Sequence, residues 1–238
     1  MNAIVYVTAF LDLRTEDKSP ATRIAHFRRL AATGIPLRVF ASRCYAAAIE
    51  EICREAPNTV IHRVLELEDT WTYSECVKHR DRMPAHRTTT KDTFEFLTLM
   101  NAKVEFVEEV ARASGAAHLA WIDFNVWHVV QDADVVQTRL RSISRVDGVY
   151  VPGCWPAAEV AWDRIGWRFC GGFFVGDRAA LLAFAAQYRA SLRRYLDADG
   201  MTWEVNVWAR LEQEGWTPRW YKADHNDSLF AVPTTESL

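Results

Sequence analysis

The run AIVYVTAFL at residues 3–11 is rich in β-branched and aromatic residues and ends at Asp12 and Arg14. A continuous apolar run of that length is the pattern of a strand covered on both faces of a sheet. LRVFAS at 37–42 and TVIHRVL at 59–65 repeat the pattern, separated by helix-like segments at Thr22–Ala32 and 45–55. Gly34 and Pro36 punctuate the end of the first helix. Strands alternating with helices at these distances predict an α/β protein with a largely parallel sheet.

Beyond residue 65 the pattern loosens. Glu68–Thr90 reads as an irregular excursion with short helical pieces, the kind of insertion that borders a cleft. From Lys91 to Ser114 a long helix is predicted, with Phe94, Leu97, Met100, Val104, Val107 and Ala111 on one face. At about 100° per residue, Asn101 and Glu108 fall within or beside that face and Lys103 on its shoulder, where polar groups need partners. A strand at 119–124 follows, then a long region containing GVYVPGCW and WRFCGGFFVGD. Helices at 178–196 and 202–214 lead to a last extended piece, PRWYKADHNDSLF. No repeat, low-complexity segment or linker divides the chain. Its 238 residues, 50% hydrophobic, suit a single domain over 1–238.

Composition excludes several classes. The formal net charge is −3 and no lysine or arginine cluster is dense enough to track a phosphate backbone, so nucleic acid is not the expected partner. No apolar stretch reaches the roughly 18 residues of a membrane span, and no basic region with a small-residue cleavage site opens the chain. The five cysteines are scattered without a C-x-x-C pair, which suits free thiols in a reducing compartment. These features together predict a soluble, cytoplasmic protein. The ten tryptophans serve packing first, with a few available to line a sugar or base pocket.

Chemistry concentrates at four places. In WIDFNVWHVV, Asp123 stands near the end of an apolar strand, where ligands of doubly wound sheets gather. Asp123 and Asn125 can offer oxygen to a hard cation such as Mg²⁺ or Mn²⁺, or Asp123 can cap the following turn. ADHNDS places His225 beside Asp224, either as metal-compatible donors or as turn-satisfying side chains. Gly171 and Gly172 in FCGGFFVGD mark a bulge or close packing, or an approach of phosphate or sugar. Glu204, between Trp203 and Trp208 at a helix start, is a base candidate or simply an acidic first-turn residue.

Taken together, IVYVTAFLDLR at 4–14, KDTFEFLTLMNAK at 91–103, HLAWIDFNVWHV at 118–129, FCGGFFVGD at 169–177, WEVNVWA at 203–209 and YKADHNDSLF at 221–230 resemble the HtrL/YibB-like family. Its members are similar to the GT-A class of nucleotide-sugar enzymes, and the resemblance covers nearly the whole chain. It implies a GT-A-like Rossmann-type sandwich with a central, mostly parallel sheet flanked by helices. It implies donor contacts from Thr8, Ala9 and Asp12, with Arg14 near phosphate, and donor contacts from Asn101 and Lys103. Gly171 and Gly172 would admit the donor sugar, and Glu204 would face acceptor or donor as base or positioning group. The metal-binding D-x-D of that class corresponds to Asp123 and Asn125, a departure in which the second carboxylate is missing. Asp123, Asn125 and His225 then become the ligands implied for Mn²⁺ or Mg²⁺.

The implied activity is metal-dependent transfer of a sugar from a nucleotide diphosphate, a UDP-sugar above others, to a hydroxyl of a glycan or glycoconjugate. The rivals are a sugar nucleotidyltransferase and a non-catalytic carbohydrate-binding protein on the same scaffold. The first normally carries a glycine-rich phosphate loop after its first strand, and DLRTEDKSPATR has no glycine.

Overall fold

The computed structural model describes residues 4–13, 19–157 and 161–233. Strand β1 (Val5–Phe10), helix α1 (Pro20–Ala31), β2 (Leu37–Ala41), α2 (Arg43–Glu55) and β3 (Thr59–Val64) realise the alternation read from the sequence. β1 pairs in parallel with β2, and β2 with β3. Short 3₁₀ turns flank α3 (Trp71–Cys76), and the long α4 (Phe94–Ala113) leads to β4 (His118–Ile122), which lies parallel to β1 on its other side. The chain continues through α5 (Ala133–Ser142), β5 (Val149–Gly153), β6 (Phe173–Asp177), α6 (Arg178–Asp199), α7 (Glu204–Gln213) and β7 (Arg219–Lys222).

These strands form one seven-stranded sheet in the order β3-β2-β1-β4-β6-β5-β7. β6 runs antiparallel to both β4 and β5, whereas β7 is parallel to β5. The fold is a mixed α/β, GT-A-like Rossmann-type sandwich with helices on both faces. One reversed strand has a direct consequence for function. The carboxyl ends of β1, β2, β3, β4, β5 and β7 and the beginning of β6 all share one edge, which is where open α/β sheets present ligands.

The period-two alternation of strands sorts their side chains between two cores. Val7, Ala9, Trp121 and Phe174 pack with α4, α6 and α7 on one face. Tyr6, Phe10, Ala120, Ile122 and Phe173 pack with α1, α2 and α5 on the other.

Three details differ from expectation, each for a physical reason. α4 starts at Phe94 because the Thr93 hydroxyl accepts the Phe96 amide and caps it there. Lys103, expected on the shoulder of the apolar face, is wholly buried, because α4 is wrapped by the sheet and by α3, α6 and α7 as well. α5 was not foreseen; it begins where the Asp132 side chain accepts from the amides of Asp134 and Val135.

Candidate functional site

Asp123 follows β4 by one residue, at the shared edge. Its backbone amide still donates to Gly172 O (2.9 Å), extending the ladder with β6, and its carbonyl accepts from the Val126 amide as the chain turns. The Asp123 side chain is thereby aimed back under the edge. Oδ1 accepts from Trp121 Nε1 at 2.7 Å and lies 3.1 Å from Lys103 Nζ.

Lys103 is the centre of the arrangement. Its ammonium, on a side chain only 1% exposed, donates to Gly171 O at 2.8 Å and to Glu204 Oε1 at 2.8 Å, besides its contact with Asp123. Three N–H groups thus meet three oxygens. Burial alone would lower the Lys103 pKa, but Asp123 and then Glu204 more than offset it and hold the ammonium above its ordinary value. Lys103 is therefore charged at neutral pH, and one cation sits between two carboxylates.

Glu204 opens α7 and is buried, its side chain 5% exposed, whereas that of Asp123 is 32% exposed. Gly171 is required by this packing. A Cβ on it would stand 2.0 Å from Glu204 Oε1 and 2.9 Å from Cδ. At Gly172 a Cβ would sit 3.6 Å from Asp123 Oδ2, in space that glycine leaves open beside the outer oxygen. Among the described residues Asp123 Oδ2 has no hydrogen-bond partner.

The structure brings Asp123, Lys103, Glu204, Gly171 and Gly172 together. Asn101, two residues before Lys103, is elsewhere committed: its amide donates to Leu97 O and Thr202 O, and its oxygen accepts from Tyr188 Oη at 2.7 Å. Thr8 and Ala9 are buried within β1, and Thr8 Oγ1 is a buried hydroxyl without a hydrogen bond among the described residues. The Asp12 amide, just past β1, donates to Ser42 Oγ at the end of β2. Arg14 lies outside the described residues. Asn125 Oδ1 accepts from His26 Nδ1 of α1 at 2.6 Å.

His225 reaches the same edge, three residues beyond β7, but the two thiols beside it were not foreseen. The Cys154 Sγ lies 3.9 Å from His225 Nδ1 and 3.4 Å from Cys170 Sγ, and Trp167 meets the imidazole edge-on at 4.4 Å between centroids. Cys154, Cys170 and His225 form a cluster able to hold a metal ion, with ligand atoms all within 4.8 Å of one another. Partial burial holds the His225 pKa below its ordinary value, against Asp224 and Asp123, which raise it. Burial raises both thiols above theirs.

No family model matches the chain, and no curated protein does. Among solved structures, it is similar to mouse xyloside xylosyltransferase 1 in its apo form, at 8% identity and a TM-score of 0.48, over 93% of this chain and 85% of that one. It is also similar to 4-diphosphocytidyl-2C-methyl-D-erythritol synthase from Anaerococcus prevotii, at 8% identity and a TM-score of 0.49, over 99% of this chain and 94% of that one. At such levels the fold is defined by the strand order and pairing themselves. No helix among the described residues is long and apolar enough to cross a membrane.

Proposed function

We propose that this chain is a metal-dependent glycosyltransferase of the HtrL/YibB-like family, moving a sugar from a nucleotide-diphosphate donor to a hydroxyl acceptor. The observation that carries this reading is the buried Lys103 linking Asp123, Glu204 and the Gly171 carbonyl at the carboxyl edge of the sheet. One ammonium against two carboxylates leaves a local charge of about −1 by simple addition. The exposed share of it sits on Asp123, whose side chain is 32% exposed against 5% for Glu204.

Asp123 Oδ2 fits a hard divalent cation held by one carboxylate and by substrate phosphates, a usual mode for Mg²⁺. The glycine at 172 keeps the space beside that oxygen clear. Mn²⁺ or Mg²⁺ bound there would neutralise the departing diphosphate as a Lewis acid. Neither Asn125, held by His26, nor His225, beside two thiols, is needed for this minimal site.

The protein's own groups act by holding position. Trp121 and Lys103 fix the rotamer of Asp123 through Oδ1, leaving Oδ2 outward. Glu204 fixes Lys103, and in this reading it is a positioning residue: its Oε1 is taken by the ammonium and its side chain is buried. Trp155, the exposed tryptophan after β5 at 49%, offers an aromatic face on which a sugar ring can stack.

Calorimetric binding of UDP, GDP, CDP and ADP, each with and without Mn²⁺, tests the proposal. The expected result is one nucleotide whose binding strengthens with Mn²⁺ and is lost in Asp123→Ala, while the variant still melts cooperatively. No binding by any of the four to folded protein, or unchanged binding by Asp123→Ala, would overturn it and favour the non-catalytic alternative.

A further inference from the structure

We infer that Cys154, Cys170 and His225 form a zinc site, separate in its donor atoms from the Asp123 site and independent of the glycosyltransferase reading. The three residues are distant in sequence and are brought together by the sheet. Cys154 follows β5, Cys170 precedes β6, and His225 follows β7. Backbone hydrogen bonds past the strand ends set their positions: Ala223 N to Gly153 O (3.0 Å), Cys154 N to Trp167 O (3.1 Å) and Cys170 N to Pro152 O (2.8 Å). Gly153 permits the crossing, since a Cβ there would stand 1.8 Å from Arg168 O.

The geometry suits a small tetrahedral ion. Zinc–sulfur bonds of about 2.3 Å and zinc–nitrogen bonds of about 2.0–2.1 Å place ligand atoms roughly 3.5–3.8 Å apart. The Cys154 Sγ–Cys170 Sγ and Cys154 Sγ–His225 Nδ1 separations are 3.4 and 3.9 Å and all three ligand atoms lie within 4.8 Å of one another, so rotation of the side chains brings them onto one ion. Two thiolates and an imidazole select zinc over the hard cations of oxygen sites. Trp167 against the His225 ring limits its rotation. Binding forms two Zn–S bonds and one Zn–N bond and releases the two thiol protons to solvent. The charge of Asp224, felt by both thiols, favours the incoming cation.

The ion would tie the ends of β5 and β7 to the segment that enters β6. That segment includes Gly171 and Gly172, whose carbonyls hold Lys103 and the Asp123 amide. Zinc would therefore stiffen the backbone beneath the neighbouring carboxylates without touching them.

The test uses the full chain, reduced with a non-thiol reductant and stripped of metal, titrated with Zn²⁺ against a chromophoric chelator and with Co²⁺ as a spectroscopic substitute. The expected result is one equivalent of zinc, a sulfur-to-cobalt charge-transfer band, and a higher melting temperature with metal. Cys154→Ser and His225→Ala should each lose that equivalent, and Cys44→Ser, an exposed thiol outside the cluster, should keep it. Because His225 is exposed, its alanine variant separates loss of metal from loss of folding. No zinc uptake by reduced protein, a cobalt spectrum without the sulfur band, or undiminished uptake by His225→Ala would overturn the assignment. So would displacement of Co²⁺ by an equal concentration of Mn²⁺, which would mean oxygen ligation.

Discussion

Lys103 sets the terms of the candidate site at the scale of single residues. An ammonium so deeply buried persists because each of its N–H groups meets an oxygen and two of those oxygens are charged. Removing it leaves Glu204 buried and uncompensated, whereas an apolar replacement fills the space without restoring charge. Lys103→Met should therefore cost about 3–5 kcal/mol in urea unfolding at neutral pH. A loss under about 1 kcal/mol would mean that water reaches Glu204 in place of the ammonium. Gly171→Ala is the complementary change. Its methyl would meet Glu204 and Val205 Cγ1 (3.2 Å) at once, and Glu204 cannot swing aside without releasing Lys103. Overpacking of this kind costs about 1–3 kcal/mol, and nucleotide binding should weaken with it if the Lys103–Asp123 contact sets the metal-binding rotamer. Asp123, Glu204, Gly171 and Gly172 were each singled out in the sequence and Lys103 was named through the resemblance, but not the contacts that join them. Lys103 and Glu204 were visible as polar residues on helices, but 101 positions separate them and nothing local states that they meet. The cysteine cluster was hidden for the same reason: without C-x-x-C spacing, only the pairing of β5 with β6 and β7 brings its members together.

At the scale of elements, the helices behind the sheet are joined by carboxylates that titrate in acid. Glu75 of α3 accepts from Arg193 of α6, and Glu108 of α4 accepts from Arg189 of α6 and from Arg112. Hydrogen bonds from Arg193 hold Glu75 below the ordinary carboxylate value. Burial would raise Glu108, but Arg189 and Arg112 outweigh it and lower that one too. A depressed folded pKa contributes stability that is fully present above the ordinary value of 4.5 and is lost as pH falls through the folded value. Glu108→Gln and Glu75→Gln should each destabilise by about 1–3 kcal/mol at neutral pH. In urea melts below about pH 4 the gap to the parent should narrow, because the parent's carboxylates are then protonated as well. A gap unchanged by pH would assign the loss to packing. Elements themselves were largely readable: strands from unbroken β-branched runs, and α4 from its spacing of three and four. α5 escaped because its buried positions reduce to Val136 and Leu140, too few to make a stripe, although Asp132 ahead of ADVV is a capping signal. The reversal of β6 escaped because strand direction is fixed by the path of the chain between strands, which residue types along a strand do not encode.

At the scale of the whole molecule, the question is whether residues 1–238 behave as one unit. Chains longer than about 150 residues often unfold through intermediates, and this one has two apolar clusters on opposite faces of its sheet. The clusters share their strands residue by residue: Val7 and Tyr6 in β1, Phe40 and Val39 in β2, Trp121 and Ala120 in β4, Phe174 and Phe173 in β6. Neither set of helices can leave without exposing strands that the other set needs, so we expect a single cooperative transition. Phe27→Ala tests it from one side. Phe27 is fully buried in α1 and stacks on Phe124 at 4.2 Å, so truncation should cost about 3–5 kcal/mol. Four of the five buried tryptophans report from the other side, since Trp121, Trp203, Trp208 and Trp216 belong to the cluster around α4, α6 and α7, and Trp127, which lies with Phe27, is replaced by Phe in both parent and variant so that it does not contribute. In the variant, the fluorescence midpoint should fall together with the far-ultraviolet circular dichroism midpoint, the two curves superimposing as in the parent. A fluorescence transition left in place while ellipticity is lost earlier would mean that the two faces unfold separately, and the chain would then hold two stability units on one sheet.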